Sequence, residues 1–293
     1  MDPRQDALPG ALESSWGLTA AEVETHDRGM NSRTWIVRDG ARRWVAKAVP
    51  EDATRRFGAA LAVAAIVDAA GIPAGAPEPT IDGRLTVVID DSELALLSFV
   101  DGNPLVGDDP TEQRLIGSTL ARVHRAVIGR HVPNTERFHW LDVSAPHLDI
   151  EPWVRPAVQE AVAAYEALPP SSLTWGLLHS DPAPEAFLLD PRSGTCGLID
   201  WAALFGPLLY DLASAVMYVG GFDRATALLD AYLAEGPVGR NEADRALEPM
   251  LRLRWAVQAD YFARRIATND LTGISGPGEN LEGLDDARRA LAA

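Results

Sequence analysis

The sequence predicts an α+β fold in two lobes, a small antiparallel-sheet lobe over residues 1–100 and a mainly α-helical lobe over residues 101–293. Alternating strand runs crowd the first hundred residues, and helical periodicity dominates after Asp101-Gly102-Asn103-Pro104. A short β-like interlude between residues 173 and 199 interrupts the helices. The 293 residues, 47% of them hydrophobic, suffice for a sizeable core.

In the first lobe, residues 34–38 and 42–47 alternate apolar and polar side chains across Asp39-Gly40, the turn chemistry of a tight hairpin. Residues 55–70 are alanine-rich with helical spacing, and Gly71-Ile72-Pro73 supplies a glycine stop followed by proline. Residues 85–89 and 93–100 read as two more strands across Asp90-Asp91. One helix is therefore expected among these strands. In the second lobe Ile116, Leu120, Val123 and Val127 keep a helical period, as do Val158, Ala161, Val162 and Tyr165, and then Leu208, Leu212, Ala215, Val216 and Val219. The interlude reads as strands at residues 173–178, 187–189 and 196–199, the last two joined through Asp190-Pro191-Arg192-Ser193-Gly194.

Composition narrows the function. With 26 Lys and Arg against 42 Asp and Glu, the net charge of −16 repels a phosphate backbone, so no nucleic-acid partner is expected. The single Cys196 allows neither an internal disulfide nor a cysteine-based zinc cluster, which fits the cytoplasm. The polar start carries no signal-peptide pattern, and the longest near-apolar run, residues 57–67, falls short of the ~20 residues that span a bilayer. A monomer or homodimer without membrane attachment is expected.

The chemistry gathers on the interlude. Asp181, in His179-Ser180-Asp181, follows one apolar strand, and Asp200, in Ile199-Asp200-Trp201, follows another nineteen residues on. Two carboxylates leaving paired strands at this interval suit phosphoryl transfer: one orients the acceptor hydroxyl and takes its proton, the other holds Mg²⁺ against nucleotide phosphates. Lys47 ends a Val-Ala-Lys strand, where kinases place the lysine that grips the α- and β-phosphates.

Together these motifs resemble the aminoglycoside phosphotransferase family of small-molecule kinases. The segment from His179 to Ala186 is similar to its catalytic loop H-G-D-x-x-x-x-N, Ile199-Asp200-Trp201 to its I-D-W, and Tyr210-Asp211-Leu212-Ala213 to its Y-D-L-A. Residues 117–124, ending in His124, are similar to the helix L-G-x-x-L-A-x-L-H. The resemblance implies a bilobal protein-kinase-like fold, ATP or GTP and Mg as cofactors, and a small hydroxylated molecule, such as an aminoglycoside, as acceptor. It implies Asp181 as catalytic base, Asp200 as metal ligand and Lys47 as phosphate-binding lysine. Asp211, with His179, would support the catalytic loop, and the connector Ser98-Phe99-Val100 would hold the adenine. Gly29-Met30-Asn31-Ser32 resembles the phosphate-covering turn, with Gly29, Asn31 and Ser32 as candidates. The acceptor would meet residues of the C-terminal helices, among them Asp260, Tyr261 and Glu279.

Two positions depart from the family pattern. Ala186 stands where the loop asparagine belongs and has no ligand atom, so the neighbouring Glu185 is the candidate substitute on the metal. Kinases pair the phosphate lysine with a glutamate on the first-lobe helix, yet residues 53–67 contain no acid. A nucleotide-binding pseudokinase, or a kinase acting on a peptide hydroxyl, is the alternative reading. His124 is expected to be a satisfied core histidine, and Asp211 to serve equally as a helix cap.

Overall fold

The computed structural model describes residues 3–26, 32–138 and 141–292. Packing divides the chain into two units. One comprises Met1–Pro104, His131–Glu136 and Ala186–Ala203, and the other Leu105–Arg130, Arg137–Glu185 and Leu204–Ala293.

In the first unit the chain forms α1 (Pro3–Trp16), β1 (Glu22–Thr25), β2 (Arg33–Asp39), β3 (Arg42–Pro50), α2 (Thr54–Ala69), β4 (Val87–Ile89) and β5 (Ser92–Ser98). The strands make an antiparallel sheet in the order β1-β2-β3-β5-β4. Two local turns set its register. Gly40, at φ +59°, pairs Asp39 with Arg42. Asp90 and Asp91, at φ +42° and +61°, take the left-handed region that short polar side chains tolerate and that two-residue hairpins require.

Alternation then gives the sheet two apolar faces. Trp35, Val37, Trp44, Ala46, Leu94 and Leu96 pack with Leu8 and Leu12 of α1, while Val49 and Ala95 pack with Phe57 and Leu61 of α2. The expectation of a single helix in the first hundred residues is corrected here, because α1 covers one face of the sheet. Its apolar stripe is narrow and Pro9 sits inside it, so periodicity conceals it. β6 (Asn103–Pro104), β9 (Phe187–Leu189) and β10 (Cys196–Leu198) form a second sheet in this unit, in the order β10-β9-β6. The Asp190 turn joins β9 to β10: its carboxylate accepts the Arg192 N–H at 2.9 Å and the Ser193 hydroxyl at 2.8 Å.

The second unit holds α3 (Pro110–Val127), β8 (Trp175–Leu178), β11 (Leu204–Pro207), α4 (Val154–Glu166), α5 (Leu209–Tyr218), α6 (Thr226–Glu235), α7 (Arg240–Ala267) and α8 (Pro277–Leu291). Asp109 caps α3, its carboxylate accepting the N–H groups of Thr111 and Glu112 at 2.7 and 3.1 Å. Ile116, Leu120, Val123 and Val127 are all buried along one side of α3. The interlude is not one sheet: β8 pairs with β11, Leu178 opposite Leu204, whereas β9 and β10 pair with each other in the first unit. Gly206 in β11 has no room for a side chain, since a Cβ there would lie 2.5 Å from that of Phe138. Among the described residues no helix is long and apolar enough to cross a membrane.

Candidate active site

In the second unit the buried strand β8 delivers His179, and the chain turns sharply at Ser180. Ser180 sits at φ +85°, the glycine-favouring region, at the position where the resembled loop carries glycine. Its hydroxyl is buried without a hydrogen-bond partner among the described residues. Strain and an unmet hydroxyl at one residue mark a loop conformation imposed by its surroundings. Asp181 follows, its N–H donating to His179 Nδ1 at 3.3 Å, with its side chain 57% exposed. Pro182, Ala183 and Pro184 are buried behind it and Glu185 is exposed.

What imposes the turn is Asp211. Its carboxylate, wholly buried on α5, accepts the N–H of His179 at 2.6 Å and of Ser180 at 2.8 Å. The same side chain faces His124 Nε2 at 3.1 Å, and His124 Nδ1 faces the Tyr232 hydroxyl at 2.7 Å. Burial, then the nearby Asp211 charge, pushes the Tyr232 phenol well above its ordinary value, so it stays protonated and donates to Nδ1. Because a carboxylate can only accept, the His124 Nε2–H is the donor to Asp211. Asp211 does not cap α5, which has no side-chain cap.

Two further residues hold Asp181, and sequence reasoning missed both. The Tyr218 hydroxyl donates to Asp181 Oδ1 at 2.5 Å, and Arg254 Nη2 donates to the same oxygen at 3.0 Å. Arg254 is buried on α7, and its Nε donates to Ser214 Oγ at 3.1 Å. A signal existed: Arg254 interrupts the apolar run Met250, Leu251, Leu253 and Ala256, and Tyr218 lies two helical turns beyond Asp211. Burial, countered in part by the Arg254 charge, raises the Tyr218 phenol. For Arg254 burial pulls the guanidinium down, but Tyr210, Tyr218 and Asp181 reverse this and leave it raised.

The first unit answers the question of the unpaired lysine. Lys47 does not end its strand, since β3 continues to Pro50; its Nζ, from a position between buried Ala46 and Ala48, lies 3.4 Å from Asp200 Oδ1. Asp200 follows β10 at φ +66°, and the next residue anchors it, the Trp201 indole N–H donating to the carbonyls of Ala74 at 3.0 Å and Leu198 at 3.1 Å. Gly197 lets this strand approach Pro73, whose carbonyl would lie 2.6 Å from an added Cβ. Ala186 is buried and presents a carbonyl to the Ile199 N–H at 3.0 Å, offering no side-chain ligand. In the connector the Ser98 N–H donates to Ala76 at 2.8 Å, the Phe99 ring lies 4.1 Å beneath the Arg43 guanidinium, and Val100 is buried. Ser32 immediately precedes β2, whereas Gly29 and Asn31 lie outside the described residues.

The three acceptor candidates are each tied within the second unit. Asp260 accepts from His147 Nε2 at 2.7 Å, the Tyr261 hydroxyl accepts from Arg265 at 3.1 Å, and Glu279 accepts the Ser275 N–H at 2.7 Å. Among the described residues no three His, Cys, Asp or Glu side chains converge as a metal cage.

A family model described as "Phosphotransferase enzyme family" matches residues 22–247, well over half of the chain, and takes in Lys47, Asp181, Asp200 and Asp211. The chain belongs to the phosphotransferase enzyme family. Its relatives in that family include a homoserine kinase of Rhizobium johnstonii, 28% identical over 217 residues that span 68% of this chain and 65% of that one. A homoserine kinase of Methylobacillus glycogenes is 28% identical over 229 residues, 73% of this chain and 71% of that one. The fold of this phosphotransferase-family chain is shared with the amicoumacin kinase hAmiN in complex with AMP-PNP, Ca²⁺ and Ami, at a TM-score of 0.74 and 14% identity, covering 99% of this chain and 93% of that one. It is shared also with the choline kinase LicA from Streptococcus pneumoniae, at 0.70 and 13% identity over 99% of each chain.

Proposed function

We propose that this chain is an ATP- and Mg²⁺-dependent kinase that transfers the γ-phosphoryl group to a hydroxyl of a small molecule. The single observation that carries the reading is the meeting of Lys47 with Asp200, 153 residues apart in sequence, at 3.4 Å. A phosphate-gripping cation beside a carboxylate is the pair that phosphoryl transfer needs. Residues 1–100 supply the nucleotide-binding side, with Lys47, the 29–32 turn and the 98–100 connector, and residues 101–293 supply Asp181 and the acceptor contacts.

The metal fits the donors present. Magnesium takes one or two carboxylates and completes its shell with phosphate oxygens and water, so no cage of three side chains is required. Asp200, 71% exposed, would hold it, with Glu185 as the second candidate. When bound, the ion neutralises charge on the phosphates. Asp181 orients the acceptor hydroxyl and receives its proton, and Asp211 holds the loop in the required turn.

The acceptor we favour is a small hydroxy amino acid of the homoserine class. The relatives named homoserine kinase support it, and so does the state of the acids that would greet a polycationic aminoglycoside. Asp260 is engaged by His147, and Asp285 and Asp286 by Arg289.

The test is calorimetric titration of ATP and GTP with and without Mg²⁺, followed by phosphate transfer to L-homoserine, choline and kanamycin, with Asp181→Asn as control. Metal-dependent nucleotide binding and transfer to L-homoserine, lost by about 10²- to 10⁴-fold in the variant, is the expected result. Binding without transfer to any acceptor would instead mark a pseudokinase, the outcome that Ala186 would explain.

A further inference from the structure

Arg254 is buried on α7, yet its partner Asp181 is 57% exposed. A guanidinium withdrawn from water to meet a largely solvated carboxylate is a poor way to stabilise a fold, because desolvation offsets most of the attraction. The arrangement is nevertheless fully braced. Arg254 Nε donates to Ser214 Oγ, whose own hydroxyl donates to the Tyr210 carbonyl at 2.9 Å. Nη2 donates both to Asp181 Oδ1 and to the Tyr218 hydroxyl, each at 3.0 Å, and the guanidinium carbon lies 5.5 Å from the centre of the Tyr218 ring. Tyr218 spends its own proton on Asp181 Oδ1. Two of these donors, the Tyr218 hydroxyl and Arg254 Nη2, converge on a single oxygen of the carboxylate.

We propose that Arg254 and Tyr218 are positioning residues for the transfer step, tethering Oδ1 of Asp181 so that Oδ2 alone is presented to the acceptor hydroxyl. The inference rests on the reading of Asp181 given above. In the step itself the acceptor oxygen forms a bond to the γ-phosphorus as the bond from that phosphorus to the bridging oxygen breaks, its electron pair leaving on the nucleoside diphosphate. The acceptor proton passes to Asp181 Oδ2. A carboxylate free to rotate would offer either oxygen at varying distance, and a misplacement on the order of 1 Å can cost about 10²-fold in rate. Two donors on one oxygen remove that freedom.

Arg254→Met, Arg254→Lys and Tyr218→Phe test the proposal, each made also in an Asp181→Asn background. AMP-PNP titration with Mg²⁺ counts competent molecules, and phosphate transfer is measured to whichever of L-homoserine, choline and kanamycin the unaltered protein accepts. Arg254→Met is expected to lower kcat about 10- to 100-fold while leaving AMP-PNP affinity and the KM for ATP within about 2-fold. Arg254→Lys, which keeps a donor, should recover part of the loss, and Tyr218→Phe should fall about 3- to 10-fold. In the Asp181→Asn background these losses should largely vanish, since the residues act through that carboxylate. A purely structural arginine predicts the opposite: equal losses in both backgrounds, or a lowered melting temperature with kcat per nucleotide-binding molecule unchanged, and either result overturns the proposal. If Arg254→Met does not fold, the Tyr218→Phe pair decides by the same criterion. Nucleotide binding without transfer by the unaltered protein overturns the kinase reading itself, and this inference with it.

Discussion

Lys47 Nζ stands 3.4 Å from Asp200 Oδ1, in a chain whose helix α2 carries no glutamate. The pair is not a stabilising device. Asp200 is 71% exposed and Lys47 20%, and ion pairs of that exposure contribute about 0–1 kcal/mol. Its importance is that a cation and a carboxylate share one place.

Lys47→Met should therefore separate binding from folding. A charge-assisted hydrogen bond to phosphate is worth about 1.5–3 kcal/mol, so ATP affinity is expected to weaken about 10- to 100-fold. Unfolding free energy in urea should move by less than about 1 kcal/mol. Calorimetry and a denaturation series on the same preparation check both. A large stability loss, or unaltered ATP affinity, would contradict the assignment.

Asp211 should behave in the contrary manner. Its buried carboxylate satisfies two backbone N–H groups and His124, and Asp211→Ala strands all three donors. Removing one member of a buried charged network costs about 3–5 kcal/mol, which a urea series should read directly. In the fraction that stays folded, kcat should fall further than nucleotide affinity, because the Asp181 loop loses its brace while Lys47 and Asp200 do not. Equal losses of both would mean that Asp211 supports the unit generally rather than the loop.

These contrasts also explain what the sequence made legible. The hairpins at Asp39-Gly40 and Asp90-Asp91 and the end of α2 at Gly71 were readable because each is set by two or three adjacent residues. Asp181, Asp200 and Lys47 were readable because motif spacing places them. The helix α1 was not, since Leu8 and Leu12 acquire meaning only against Trp35 and Trp44 across the sheet. Nor was the Asp181 tether: Tyr218 and Arg254 reach it from 37 and 73 residues away, and no local pattern records such a contact. The same holds for Asp200 as partner of Lys47, which follows from the way β10 packs against residues 73–74 rather than from any periodicity.

Two buried phenols give the stability a direction with pH. Burial raises Tyr210 and Tyr232 above the ordinary value of 10. Their contribution is complete below that value. Above it the unfolded chain releases phenolic protons that the folded chain retains, so stability falls as pH rises, with a slope of up to about 1.4 kcal/mol per pH unit for each tyrosine. Urea series between pH 8 and 11 should show a plateau followed by this decline. Tyr232→Phe should start lower by about 1–3 kcal/mol, because His124 Nδ1 loses its donor, but its alkaline slope should be shallower. A slope identical to that of the unaltered protein would exclude Tyr232 as a contributor.

Ser180 concentrates two costs in one residue. Its φ of +85° is a conformation that glycine adopts freely and a serine does not, and its buried hydroxyl has no partner among the described residues. Each cost is about 1–3 kcal/mol. Ser180→Gly removes both but adds chain freedom to the unfolded state, which takes back about 0.5–1 kcal/mol. The substitution is therefore expected to raise stability by about 1–5 kcal/mol, a melting increase of several degrees for a chain of this length. The backbone N–H of residue 180 still reaches Asp211, and Asp181 still meets Tyr218 and Arg254, so AMP-PNP binding should be preserved. Differential scanning calorimetry beside nucleotide titration decides the matter: an unchanged or lowered melting temperature would mean that the serine hydroxyl has a role in the folded loop that outweighs the strain.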